Sequence, residues 1–429
     1  MRSLSFCMLT SFYPPEGFGG DAIQVERLAR ALADRGHRVT VVHSPQAYRT
    51  LAWNRKHPDR LRGSTDDGAH PQIRVVAIDS PAGPLSPMAT YLSGRPLLTR
   101  SRLQGVLEER FDVVHFHNPS LLCGAELPGA GNGIRLYTAH EQWLVCPTHT
   151  LWKYQRRVCE KPQCWRCGLT YARPPQLWRS TDLLERAVGG LDALIAPTRT
   201  VARLHERFAP IVRIEPLGHF VPEGRPSDCA PRERPYFLYA GRLESIKGVE
   251  TLLEPFRERP SEDLLIAGVG TREGALRRAA ADMPNVRFLG WRDPEELDAL
   301  YRGALAVLVP TLGHESFGLV AVEAFARGTP AIVRGFGALG ELAEESGAAL
   351  TFRTGDELRS ALARLAGDAA LRRELSERGR AAYLERWTVE AHLAGYFRLI
   401  AALASERGER ELSDTAAALA SSPGTGAAA

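Results

Sequence analysis

The sequence predicts an α/β protein made of two Rossmann-like parallel-sheet domains facing a central cleft. Three observations lead there. Short apolar runs alternate with amphipathic helical patterns along most of the chain, the order that parallel strands joined by crossover helices require. The alternation stops once, in the aperiodic stretch 219–235 with Pro222, Pro226, Pro231 and Pro235, and then restarts. With 429 residues, the chain also exceeds what one ordinary core organises.

In the first domain, 1–218, a strand at 4–10 leads through the glycine loop Gly17-Phe18-Gly19-Gly20 into a helix at 22–34, and a second strand follows at 39–43. The glycine loop lacks the Gly-x-Gly-x-x-Gly spacing of a dinucleotide fingerprint, which counts against a nicotinamide or flavin cofactor. It is either a phosphate or acceptor loop or a plain turn that needs positive φ. Residues 46–71 read as a long polar loop. Strands at 73–78, 113–116 and 134–138 follow, with a helix at 97–110. The strand 134–138 delivers His140 to its C-terminal end, the edge where open α/β sheets bind ligands. A lone His after a strand is equally often a hydrogen-bonded loop residue. An insert at 142–180 rich in Cys and Trp precedes a helix at 183–190, a strand at 193–197 and a helix at 200–208.

After the linker 219–235, the second domain, 236–385, begins with a strand at 236–240 and the loop Gly241-Arg242-Leu243-Glu244-Ser245-Ile246-Lys247-Gly248. Helices at 249–256, 271–281 and 297–302 alternate with strands at 264–267 and 286–289, the latter ending in Gly290-Trp291. An apolar strand at 304–309 then runs through Glu315 into a helix at 319–326, and a strand at 331–333 precedes a glycine-rich loop at 335–341. Helical patterns fill 356–385. The last helix, 386–405, is expected to cross back to the first domain. The Ala-, Ser- and Gly-rich tail 412–429 reads as disordered.

Composition sets limits on function. Apolar content of 44% and charged content of 24% are those of a globular protein. No run of 18 or more apolar residues occurs, and the apolar start is short for a signal peptide, so the expected location is the cytoplasm. The first 218 residues carry 28 Lys and Arg against 19 Asp and Glu, and the remainder carry 26 against 31. The basic half suits a phosphorylated acceptor or peripheral contact with the inner face of an anionic membrane; ordinary solvated charge is the plainer reading. No nucleic acid is expected as a partner. Lysine is rare in this Arg-based chain, so Lys247 inside a loop motif stands out.

The stretch 310–328 carries the clearest chemistry. A strand ends there and a helix begins, so the backbone N–H groups of Phe317, Gly318 and Leu319 and the positive end of the helix dipole form an anion site. Glu315 and Glu323 frame it. Arg242 and Lys247, on the loop after the domain's first strand, add two fixed cations of the kind a departing pyrophosphate needs as charge builds on it.

Taken together, the Glu-x7-Glu motif from Glu315 to Glu323 enclosing Phe317-Gly318-Leu319, Gly241-Arg242-Leu243 with Lys247-Gly248, Gly19-Gly20, and His140 after its strand resemble the GT-B retaining glycosyltransferases of family 4. The resemblance covers the chain to about residue 400. It implies transfer of a hexose or related sugar from a nucleotide-diphosphate sugar to a hydroxyl acceptor: a saccharide, a lipid-linked saccharide or a small molecule. Arg242 and Lys247 would bind the diphosphate, Glu323 the ribose and Glu315 the transferred sugar. Phe317 to Leu319 would support phosphate or sugar through their N–H groups, and Gly290 and Trp291 would lie near the base. His140 would contact the sugar near the reaction centre, while Gly19 and Gly20 would approach from the first domain. No cofactor is needed for catalysis in this family. Two departures stand out: Glu141 replaces a common Asp, and no Pro precedes Glu341. A non-catalytic nucleotide-sugar-binding subunit, and a GT-B epimerase or phosphorylase, remain alternatives.

Cys146, Cys159, Cys164 and Cys167 could hold a structural zinc ion through four thiolates, one Cys-x-x-Cys pair among them; reduced thiols and disulfides are the alternatives. Trp143, Trp152, Trp165 and Trp178 are either sugar platforms or the insert's own small core.

Overall fold

Every residue of β1 (Ser5–Thr10) and of β4 (Val113–Asn118) is buried, as happens to parallel strands covered by helices on both faces. The structure, a computed structural model, describes residues 2–52, 70–126, 132–224 and 234–422. The chain divides into two units. The first comprises Met1–His149, Cys164–Leu217 and His392–Ala429, and the second Thr150–Gln163 and Gly218–Ala391.

In the first unit β1 and β4 are joined by β2 (Arg38–His43), β3 (Ile73–Ala77) and β5 (Ile134–Thr138). A short antiparallel hairpin, β6 (Trp152–Lys153) with β7 (Arg157–Val158), comes next in the chain and belongs to the second unit. β8 (Ala193–Ala196) and β9 (Arg213–Pro216) complete the first sheet. Its order is β3-β2-β1-β4-β5-β8-β9, and all pairings are parallel. The chain fills one side of β1 and then returns to start the other side at β4. The strand order therefore reverses between β1 and β4, the position where open α/β sheets leave a crevice at their C-terminal edge.

The second unit repeats the plan. β10 (Tyr236–Ala240), β11 (Asp263–Ala267), β12 (Val286–Gly290), β13 (Val307–Val309), β14 (Ala331–Arg334) and β15 (Ala349–Phe352) lie in the order β12-β11-β10-β13-β14-β15, again all parallel. The reversal falls between β10 and β13, the two strands whose following loops carry Lys247 and Glu315. Apolar residues on the two faces of this sheet build two cores, one around Phe325, Tyr383 and Trp387 and one around Phe237, Phe256 and Leu362.

Close backbone approach fixes the loops at this edge. Gly268 has φ +145°, and a Cβ placed on it would lie 1.9 Å from the carbonyl oxygen of Gly241. Only a residue without a side chain lets the loop after β11 settle onto the loop after β10. Gly268→Ala is expected to destabilise the protein by about 3 kcal/mol through backbone strain and overpacking. Urea denaturation would measure it, and a midpoint equal to the parent's would contradict this packing.

Several sequence expectations need correction. The loop 46–71 begins with a helix, Pro45–Ala52; its remainder from 53 to 69 lies outside the described residues. The helix at 97–110 is shorter, Arg100–Leu107, with Thr99 as its N-cap and Glu108 as its C-cap. An unforeseen helix, Leu85–Ser93, precedes it. The glycine-rich loop 335–341 turns into the helix Gly337–Ser346. The tail 412–429 is not wholly disordered: Arg410–Ser421 is a helix with Leu412 and Ala416 buried on one face, and Ser413 Oγ donates to the carbonyl of Ala401 at 3.0 Å. Its Ala-rich composition marks high helix propensity as readily as low complexity. Part of the insert, Thr150–Gln163, groups with the second unit instead of the first. Most of the linker, 225–233, lies outside the described residues.

Candidate active site

The loop after β10 ends in a single 3-10 turn, Ser245–Lys247, closed by Gly248 in the left-handed conformation. That turn aims Lys247 at the loop after β13. Lys247 Nζ donates to Glu315 Oε1 at 2.5 Å, and Thr311 Oγ1 donates to the same oxygen at 2.8 Å. Burial pushes the Glu315 carboxyl up, but the charge of Lys247, the hydrogen bonds from Lys247 and Thr311, and the field of Arg242 outweigh it. The carboxyl is held below its ordinary value, so Glu315 is an anion at neutral pH. Tyr239 OH donates to the carbonyl of Arg242 at 2.8 Å and fixes that residue's backbone.

Helix Leu319–Ala326 starts at Gly318, which adopts φ +100° where a side chain would be strained. A Cβ there would also lie 2.9 Å from Leu339 Cδ2. Phe317 turns inward, 5.3 Å ring to ring from His219 and 6.4 Å from Trp387, so its contribution at the edge is its backbone. Glu323 follows on this helix and accepts from Tyr301 OH at 2.9 Å through Oε2. The structure thus joins Lys247 directly to Glu315 with Arg242 nearby. Gly290 and Trp291 sit farther along the same edge, at the end of β12, two strands from β10, with Trp291 half exposed.

In the first unit, Gly19 is the extended residue before helix Gly20–Ala33. Asp21 Oδ2, in the first turn, accepts from Asn118 Nδ2 at 3.0 Å, which ties the glycine loop to the end of β4. His140 is buried beyond β5, its Nε2 2.9 Å from His117 Nδ1. His115, two residues before His117 on the same strand face, makes hydrogen bonds with Thr138 Oγ1 at 2.8 Å and with Tyr396 OH at 3.0 Å. Burial lowers the His140 pKa to about 4; the attraction of Asp21 opposes this and the charge of His392 adds to it. His140 is therefore neutral at physiological pH. Its neighbour Glu141 makes a 2.7 Å hydrogen bond with His149 Nδ1, anchoring the start of the insert.

Three of the insert's tryptophans, Trp143, Trp152 and Trp178, are buried, whereas Trp165 is exposed. Arg179 lies over the Trp143 and Trp178 rings and donates to the Trp143 carbonyl at 2.8 Å. Cys146 and Cys167 are buried, Cys159 is intermediate and Cys164 exposed. Among the described residues, no group of three or more His, Cys, Asp or Glu side chains is arranged to hold a metal ion.

The residues that sequence reasoning missed are those that hold others. Thr311 precedes Glu315 by four residues on a loop, where no periodicity marks it. Tyr301 comes from the preceding helix. His117 could have been found: His115-Phe116-His117 puts two imidazoles on one strand face by the period of two.

Comparison with known proteins follows the same division of the chain. Residues 18–216 match the family model described as Glycosyltransferase Family 4, and residues 222–382 match Glycosyl transferases group 1. The chain is 31% identical over 251 residues to the D-inositol 3-phosphate glycosyltransferase of Corynebacterium diphtheriae, covering 54% of this chain and 56% of that one. It is 28% identical over 438 residues to the glycogen synthase of Mycobacterium tuberculosis, covering 94% and 95%. Among solved structures it resembles sucrose-phosphate synthase from Thermosynechococcus elongatus, with TM-score 0.69 and 21% identity over 97% of this chain and 100% of that one. It also resembles Anabaena HepE in complex with UDP-glucose, with TM-score 0.64 and 17% identity over 95% and 100%.

Proposed function

Since the chain belongs to the GT-B glycosyltransferases of family 4, we propose that it moves a hexose or related sugar from a nucleotide-diphosphate sugar to a hydroxyl acceptor with retention of configuration. The observation that carries this reading is the Lys247–Glu315 pair at the strand reversal between β10 and β13, beside the N-terminus of helix Leu319–Ala326. A cation, a second cation at Arg242 and a helix N-terminus at one edge favour the negative charge of a diphosphate. Glu323, steadied by Tyr301, accepts from the ribose diol. Glu315, kept ionised by Lys247, accepts from hydroxyls of the transferred sugar.

The chemistry follows from where charge moves. As the bond between the anomeric carbon and the diphosphate oxygen lengthens, negative charge grows on the leaving group and positive charge on the sugar. Lys247 and Arg242 stabilise the first, and their preorganised positions cost no rearrangement at the moment of reaction. In a front-face transfer the departing phosphate oxygen takes the proton of the acceptor hydroxyl as the new bond forms on the same face. His140, neutral, offers a hydrogen bond to the sugar without adding charge. The acceptor is proposed to be a saccharide of the cell envelope, free or lipid-linked, or a small molecule.

The test is thermal unfolding in the presence of UDP, GDP, ADP and TDP sugars. A donor at a hundred times its dissociation constant should stabilise by about 2.7 kcal/mol, and the same donor should be slowly hydrolysed when no acceptor is present. No shift and no hydrolysis with any of the four would remove this reading. A shift without hydrolysis would favour a binding subunit.

A further inference from the structure

Helix Leu85–Ser93 is inside out. Its buried residues are Ser86, Pro87 and Thr90, whereas its large apolar side chains face solvent: Leu85 at 68% exposure, Met88 at 40% and Leu92 at 44%. The three exposed positions fall at i, i+3 and i+7, one stripe of a helix. A helix docked for stability alone would show the opposite pattern. Thr90 Oγ1 meets its own polar need with the carbonyl of Ser86 at 3.2 Å, so the buried face is satisfied without the apolar residues.

A second element does the same next to it. Helix Cys164–Thr170 buries Cys167 and Gly168 and exposes Trp165 and Leu169 at 65% and 67%, and Leu177 beyond it is 61% exposed. The two segments are joined by hydrogen bonds. Tyr91 OH donates to the carbonyl of Pro174 at 3.0 Å, and Trp178 Nε1 donates to the carbonyl of Tyr91 at 3.0 Å. All of these residues belong to the first unit. Six large apolar side chains on two adjoining segments form a patch of the kind that marks an interaction surface.

Charge identifies the occupant. Residues 80–107 contain no Asp or Glu and carry Arg95, Arg100 and Arg102; residues 164–181 again contain no acid and carry Arg166, Arg173 and Arg179. Arg95, Arg102 and Arg166 are exposed. Acids stand at the ends of these stretches, Asp79, Glu108, Glu160 and Asp182; Asp182 is paired with Arg186 at 2.5 Å and the nearby Glu126 with Arg100 at 3.4 Å. An apolar face whose own stretches carry cations and no acid matches the interfacial region of an anionic lipid layer, where side chains such as Trp and Leu enter and guanidinium groups meet phosphate. A second copy of the chain fits less well, because a two-fold contact would bring the same cations face to face. No helix among the described residues is long and apolar enough to cross a membrane, so the surface would lie on the bilayer.

We propose that the face formed by Leu85, Met88, Leu92, Trp165, Leu169 and Leu177 docks the enzyme on an anionic phospholipid surface. The reading is independent of the sugar donor and is measured without one. The full chain is sedimented with vesicles of phosphatidylcholine and with vesicles of phosphatidylcholine and phosphatidylglycerol mixed two to one. Binding is expected to the mixed vesicles and to weaken with salt. The double variant Leu85→Glu and Leu169→Glu is expected to lose more than about tenfold in partitioning, since two leucines no longer enter the layer. Arg95→Ala should lose about fivefold, the worth of one cation at such a surface. Both variants change exposed positions, so unaltered melting and unaltered donor stabilisation should accompany the loss. Absence of vesicle binding by the parent, equal binding to both vesicle types, or unchanged partitioning of the double variant would overturn the proposal. So would a concentration-dependent dimer that the double variant dissolves, which would assign the face to a second copy.

Discussion

Lys247→Ala is expected to lower kcat/KM by about 10²–10³-fold, the usual consequence of removing one preorganised group that stabilises developing charge. The loss has two sources. The leaving diphosphate loses a cation, and Glu315 loses the partner that keeps it ionised. With Lys247 gone, burial is the largest influence left on Glu315, opposed by the Thr311 hydrogen bond and the field of Arg242. The Glu315 carboxyl therefore rises from its depressed position. The sign follows from linkage. In the parent, Glu315 titrates below its unfolded value, so its contribution to stability is present above that value and is lost as pH falls through the folded one. The variant should lose part of this acid-side dependence. Steady-state kinetics with the donor found by thermal unfolding, together with melting between pH 7 and pH 4, would check both halves. A variant with parental kcat/KM would show that the Lys247–Glu315 pair is only structural.

The second large effect is expected at His140. His140→Ala should reduce kcat/KM by about 10²-fold, the low end for a positioned group at a reaction centre, while leaving donor stabilisation in thermal unfolding within error. The pH profile separates a direct role from a packing one. Because burial holds His140 at about 4, its protonation should not limit activity anywhere between pH 5 and 8. A limb with a midpoint at the ordinary imidazole value near 6.5 would contradict this environment. Stability has the matching sign. A histidine whose folded pKa lies below its unfolded one contributes stability that is complete above about 6.5 and is lost as pH falls through about 4. His37 and His43, both lowered to about 4 chiefly by burial, act in the same direction.

Much of this fold could be read from the chain because strands between covering helices are continuous apolar runs. β5 and β10 were placed to the residue, and so was helix Leu319–Ala326. Elements that obey no such pattern were missed. Helix Leu85–Ser93 hides hydroxyls and shows leucines, so a search for a buried apolar stripe passes over it. β15 is four residues long and only half buried. At the candidate site, charged residues next to glycines in strand-end loops could be recognised, as at Lys247-Gly248. What the sequence could not say is that Lys247 and Glu315 meet, since 67 residues and three strands separate them in the chain. Nor could it say that His117 rests against His140, because that distance depends on the register between β4 and β5.

The return of His392–Ala429 to the first unit has a practical side. Tyr396, fully buried, stacks on His115 and Phe6 and is hydrogen-bonded to His115. The gene therefore cannot be cut at the 219–235 segment to obtain two working pieces. An upstream fragment would lack the side chain that closes the centre of its own sheet, and a downstream one would carry an apolar helix, Val389–Glu406, with nothing to cover it. Expression of the halves would have to follow the contacts and graft the final helices onto the first segment.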